Sequence, residues 1–207
     1  IFGQAVDETM KYEHIKDPHK KVPTIVEMCV DYLRNNALDI EGLFRLPGRN
    51  SFVKELKEMF DVGERPDFVA LQTDVHSVAS LLKAYLRDLP ESIIPVQFYD
   101  AVRKIVVRDV EQSPEKAYPR MYQLLSNIPP DNYNLLHYLC DFLYEVASFS
   151  EKNKMTPMNL ATVFAQSIIM PESDDPAILM GTSNVRTRVV HVLISECKNI
   201  FKMEYNP

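Results

Sequence analysis

Arg45 stands in the segment EGLFRLPG (41–48), flanked by Leu43, Phe44 and Leu46, with Gly42 before it and the Pro47-Gly48 pair after it. Its guanidinium is planar and permanently charged, and its fork of N–H donors suits carboxylates and phosphates. Apolar neighbours can anchor such a loop on a core while the charge is held outward, with less freedom than an ordinary surface arginine has. The residue type alone also fits a plain salt bridge or a solvated side chain. A second cationic pair, Lys83 and Arg87, is four residues apart and so shares one helical face, with His76 and Ser80 near the same stripe. Like charges so placed repel slightly, and a solvated face relieved by Asp88 or Glu91 accounts for the pair equally well.

Other chemistries lack their parts. There is no glycine-rich loop of the G-x-x-x-x-G-K type, so the chain is not expected to bind GTP by itself. The histidines His14, His19, His76, His137 and His191 include no pair at helical metal-ligand spacing, and no two cysteines are two residues apart. No metal or cofactor is expected. The run from Thr73 to Ser77 holds an acid, a histidine and two hydroxyls, but neighbours this close in sequence rarely face one another, and the run reads as a helix start. A hydrolase built on His76 or His137 would lack a nucleophile motif.

The elements that position these residues are expected to be helices. With 5 glycines in 207 residues and no sustained alternation of Val, Ile and Thr, the text favours an all-α domain joined by proline-marked turns. A hydrophobic share of 46% is enough for one substantial core. Residues 1–21 read as an irregular lead-in. A helix from about Pro23 to Asn36 follows, then the loop 37–48, then a helix capped by Asn50 or Ser51 and ending near Gly63. Asp74 caps a helix carrying Val75, Val78, Leu82, Tyr85, Leu86 and Leu89 inward, which Pro90 and Pro95 end. Further helices are expected over 96–110, 114–127, 131–148, from Pro157 to about Phe164, and 185–201, with a partly exposed connection at 168–184.

A net charge of −6 disfavours a nucleic-acid partner, which needs a basic surface to displace phosphate counterions. Cys29, Cys140 and Cys197 lie far apart among apolar residues, as reduced core thiols of a cytoplasmic protein would. No apolar run approaches the about 18 residues needed to cross a bilayer, so no membrane insertion is expected.

Three segments, EGLFRLPG (41–48), SLLKAYLRDLP (80–90) and NKMTPMNLATVF (153–164), occur in an order and at separations that strongly resemble the RhoGAP domain. The resemblance covers essentially the whole chain. IFGQ at the start, together with TDVHSVASLLK, is similar to the subgroup that includes the filamin-associated, Rac-directed members. It implies a single-domain helical bundle of about eight or nine helices over 1–207, monomeric and cytoplasmic, recruited to membrane or cytoskeleton by flanking regions. It implies further that the partner is a GTP-bound Rho-family small GTPase, Rac-type favoured, which itself carries the GTP and magnesium.

By position, Arg45 falls on the family's arginine finger, Lys83 on a lysine that looks toward the GTPase switch regions, and Arg87 on an arginine that helps hold the finger loop. Asn159 matches an asparagine lining the partner groove, and Pro95 a proline presented to the GTPase. One departure stands out. Where members commonly read VFGPN, this chain has Val163-Phe164-Ala165-Gln166-Ser167, so Ser167 replaces an asparagine that contacts the partner. Serine is shorter and lacks the paired donor and acceptor of an amide. Losing the Gly-Pro pair also lets the helix continue. That change keeps open an alternative: a module that docks on a GTPase with little activating power.

Overall fold

Helices form where apolar residues recur at three- and four-residue steps, and they stop where proline or a left-handed residue interrupts the hydrogen-bond ladder. The computed structural model describes residues 1–201, and within them all regular structure is helical apart from one isolated parallel bridge, Ile94 to Ile169. The all-α expectation holds. Residues 202–207, the end of the domain expected over 1–207, lie outside the described residues.

In chain order the helices are α1 (Val6–Lys16), α2 (Thr24–Asn36), α3 (Asn50–Asp61), α4 (Val75–Arg87), α5 (Tyr99–Lys104), α6 (Val110–Gln112), α7 (Pro114–Leu125), α8 (Pro130–Ser148), α9 (Ser150–Asn153), α10 (Pro157–Ile168), α11 (Pro176–Gly181), α12 (Ser183–Ser195) and α13 (Cys197–Ile200). The number exceeds eight or nine because α6, α9, α11 and α13 hold six residues or fewer, too short to leave a period in the sequence. The helix expected over 96–110 is a composite: a 3-10 turn (Val96–Phe98), α5, a π-helical turn (Ile105–Asp109) and α6. Pro119 sits inside α7 without ending it.

The described chain forms two compact units, Ile1–Pro90 with Glu145–Thr156, and Glu91–Tyr144 with the chain from Pro157 onward. In the first, α4 packs against α2 and α3. Ile25, Cys29 and Leu33 of α2, Leu56 and Phe60 of α3, and Val78, Leu82 and Tyr85 of α4 are all fully buried. Each such side chain contributes about 1.5–3 kcal/mol by leaving water, which fixes α4 as the rigid floor of this unit.

The reading of residues 1–21 as irregular is corrected by α1. Its outward face carries exposed Tyr12 and Ile15 where polar groups would be expected, so amphipathic patterning does not reveal it. Tertiary contacts hold it instead. Met10 is fully buried, and the Glu13 carboxylate accepts from the Thr24 amide at 3.1 Å and the Thr24 hydroxyl at 2.7 Å, capping α2 from outside.

In the second unit α10 packs along α12, joining Leu160, Phe164 and Ile168 to Val189, Val190 and Leu193. All three cysteines of the chain are buried free thiols. Burial pushes the Cys197 thiol up to about 12, which keeps it from reacting as a thiolate.

Candidate functional site

The loop between α2 and α3 alternates burial with display. Leu43 and Phe44 are fully buried, whereas Arg45 and Leu46 face solvent. Two backbone features make this reversal possible. Gly42 adopts φ +73° and Phe44 adopts φ +68°, the left-handed region that a residue with a Cβ enters at a cost of about 1–3 kcal/mol. Complete burial of the Phe44 ring offsets a cost of that size. The Gly42 carbonyl then accepts from the amides of Arg45, at 2.9 Å, and Leu46, at 2.8 Å, closing a tight turn over Leu43 and Phe44 from which Arg45 emerges. The Arg45 side chain makes no hydrogen bond or ion pair among the described residues, so the plain salt-bridge reading finds no acceptor there.

Three contacts fix this loop. At its start Asn153, fully buried at the end of α9, accepts the Gly42 amide on its carbonyl at 2.8 Å. The Asn153 side chain donates to the carbonyls of Leu38 at 2.7 Å and Val146 at 2.8 Å, and accepts from the Met155 amide at 2.8 Å. In the middle, Lys83 Nζ donates to the Phe44 carbonyl at 2.6 Å. Burial, reinforced by the charge of Arg87, pulls the Lys83 ammonium below the ordinary lysine pKa. At the exit the Gly48 amide donates to Ser80 Oγ at 2.9 Å and the Arg49 amide to Ser77 Oγ at 3.1 Å.

That last bond replaces the expected cap by Asn50 or Ser51: α3 begins after Arg49 with no side-chain cap. Asp74, by contrast, caps α4 as its sequence position suggests, accepting from the Ser77 amide at 2.9 Å and the Ser77 hydroxyl at 2.6 Å. The run from Thr73 to Ser77 is therefore a helix start and not a relay. Partial burial pushes the Asp74 carboxyl up, but the Ser77 hydroxyl and amide and the Arg49 charge outweigh it, and the net value falls below the ordinary aspartate range. A carboxyl lowered in the folded state stabilises above its unfolded pKa, and this contribution fades as pH falls through the folded value. The gap in thermal midpoint between the parent chain and Asp74→Asn should thus be full at neutral pH and shrink below about pH 4. A gap that stays constant from pH 7 to pH 3 would contradict the assignment.

Arg87 departs from the role the resemblance implies. It is exposed, and its Nε lies 3.3 Å from Asp88 Oδ1, a carboxylate that Lys57 also engages at 2.7 Å. Among the described contacts it is Lys83, one turn earlier on α4, that reaches the loop.

In the second unit Pro95 is buried and starts the 3-10 turn, so it is not displayed on a surface as the resemblance implies. Burial follows from its neighbours: the Ile93 amide donates to the Ser167 carbonyl at 3.0 Å and the Ile94 amide to that of Ile168 at 2.9 Å, drawing this segment onto the end of α10. Ser167 is partly exposed there, on a helix that continues to Ile168 as the loss of Gly-Pro suggests. Asn159 is exposed near the start of α10. No group of acidic, histidine or cysteine residues among those described could hold a metal ion, and no described helix is long and apolar enough to cross a membrane.

A profile of the RhoGAP domain matches residues 23–173, running through both units. Rho GTPase-activating protein 24 of Mus musculus is 42% identical over 207 residues, 100% of this chain and 27% of its own length. Rho GTPase-activating protein 25 of Mus musculus is 43% identical over 203 residues, 97% of this chain and 31% of its own. The chain thus spans about a third or less of these curated relatives. Among solved structures, human Rho GTPase activating protein 15 superposes with a TM-score of 0.86 at 23% identity, covering 97% of this chain and 92% of that one, a likeness of fold.

Proposed function

The chain belongs to the RhoGAP domain family, and from that membership we propose that it accelerates GTP hydrolysis by a Rho-family small GTPase, inserting Arg45 among the partner's phosphates. Hydrolysis builds negative charge on phosphate oxygens that an isolated small GTPase neutralises incompletely. A guanidinium brought into a site from which docking has expelled water stabilises that charge with several hydrogen bonds at once. The main chain beside Arg45 would help orient the partner's glutamine, which positions the attacking water. The partner supplies GTP and magnesium, and this chain needs no cofactor of its own.

The observation that carries this reading is the side chain of Arg45, displayed without an acceptor among the described residues on a loop whose backbone is held at three points. Lys83 serves the finger through the Phe44 carbonyl, and exposed Arg87 supplies steering charge for docking. Asn159 and Ser167 are auxiliary contacts on α10. The partner is of Rac type, on the likeness of TDVHSVASLLK to the Rac-directed members. Single-turnover hydrolysis by GTP-loaded Rac-, Rho- and related GTPases, with and without the chain, tests both points: no acceleration of any of them would overturn the proposal. The chain incubated alone with GTP should release no phosphate.

The serine at 167 favours weaker docking. Its backbone is tied to Ile93, so a larger side chain changes reach and not position. Ser167→Asn should therefore strengthen binding or raise the rate by about 2- to 10-fold, the worth of one added hydrogen bond. A titration showing unchanged or lower activity would count against a contact at this position.

A further inference from the structure

The stripe Ser77, Ser80, Lys83 lies along one face of α4 at successive three-residue steps, and each member meets a different backbone group of the Arg45 loop. The polarities are matched. At the exit, where the loop presents amides, α4 offers hydroxyl acceptors; at the shoulder before Arg45, where it presents a carbonyl, α4 offers an ammonium donor. The Ser77 hydroxyl donates its hydrogen bond to Asp74, which leaves the oxygen lone pairs to accept from the Arg49 amide. The approach is close because residue 48 has no side chain: a Cβ there would lie 2.4 Å from Ser77 Cα and 2.5 Å from Ser77 N. Arg45 sits between the Phe44 and Gly48 attachments, clamped from both sides.

We infer that Ser80, seconded by Ser77, is a positioning residue for Arg45, holding the loop exit so that the guanidinium is presented in one place. The inference rests on the proposed activating role of Arg45 and extends it to residues that touch neither partner nor nucleotide. Removing the Ser80 hydroxyl leaves the half-exposed Gly48 amide open to water, so folding is little affected while the exit of the loop loosens. A finger displaced by about 1 Å loses up to about 100-fold in rate, and a loosened one should lose about 10-fold.

The test is single-turnover hydrolysis by a GTP-loaded Rac-type GTPase with the parent chain, Ser80→Ala, Ser80→Thr, Arg45→Ala and the double variant Ser80→Ala/Arg45→Ala, together with amide hydrogen exchange at Gly48 and Arg49. Ser80→Ala should reduce the maximal rate about 10-fold with affinity for the GTP-loaded partner unchanged. Ser80→Thr, which keeps the hydroxyl, should retain most of the rate. In the Arg45→Ala background the same change should cost nothing further, because the group it positions is gone. Exchange at Gly48 should accelerate in Ser80→Ala and not in Ser80→Thr. A parent-like rate for Ser80→Ala, an equal loss in both backgrounds, or unaltered exchange would overturn the inference. A parent chain that accelerates nothing while Ser80→Ala still speeds exchange would leave the clamp standing as a structural fact and overturn both the activating role and the positioning role built on it.

Discussion

Arg45→Ala should lower the maximal accelerated rate of the partner GTPase by on the order of 10³ or more, about 4 kcal/mol of barrier, while affinity for the GTP-loaded partner changes by no more than a few-fold. The asymmetry follows from where the residue stands. Its side chain makes no ion pair or hydrogen bond among the described residues, so removing it leaves no orphaned group and should leave the thermal midpoint unchanged. The turn that presents it depends on the Gly42 carbonyl and the Phe44 ring, neither of which the substitution touches. What disappears is a charge that matters only once phosphate oxygens carry transition-state charge, the pattern in which the rate falls and binding does not. Arg45→Lys should recover little, because a single ammonium cannot reach several oxygens in one plane. Equal losses of rate and affinity, measured by single-turnover kinetics beside equilibrium binding, would remove Arg45 from the finger role.

The second large effect is expected at Gly48. The methyl of Gly48→Ala would meet the backbone of Ser77, at 2.4 Å from its Cα, and of His76, at 2.7 Å from its carbonyl carbon, and no rotamer change relieves a clash with main chain. The loop must lift off α4, stretching the bonds to Ser77 and Ser80 together. A penalty of about 3 kcal/mol, the upper end of the usual range for overpacking, is expected. For a chain of this size that lowers the thermal midpoint by about 6–12 °C. Gly181→Ala is the control: nothing lies within 4 Å of the added carbon, and the midpoint should stay within a degree or two. If both glycine variants melt together with the parent chain, the close approach of loop and helix is wrong.

The parts of the site readable in the sequence are those that repeat or punctuate. Lys83 is visible because α4 has a clean apolar period that fixes its face, and Arg45 because Gly42 and Pro47-Gly48 mark a turn around it. Asp74 is visible as a cap because it stands just before that period begins. The residues that hold the loop are not, for a common reason. Ser77, Ser80 and Asn153 bind backbone groups 28, 32 and 115 residues away, and a side chain that bonds to main chain leaves no signature at the position it serves. Asn153 lies within the polar run FSEKNK, which composition alone assigns to a surface turn, yet it is fully buried with its amide bonded on both sides. Pro95 errs in the opposite direction: the resemblance implies a proline displayed to the partner, but the pairing of Ile93 and Ile94 with the end of α10 draws it inside.

The buried amide at position 153 also sets a lower limit on how much chain the arginine needs. The motifs that announce the loop and its helical floor end at Pro90, and a fragment stopping there would contain every charged group assigned to the finger. It would nonetheless lack the carbonyl that receives the Gly42 amide and the carboxamide that donates to the carbonyls of Leu38 and Val146 and accepts from the Met155 amide. Residues 145–156 are thus as much a part of the arginine's mounting as residues 37–49, although more than ninety positions of intervening sequence separate them. Any minimal piece that displays Arg45 correctly has to extend at least to Met155.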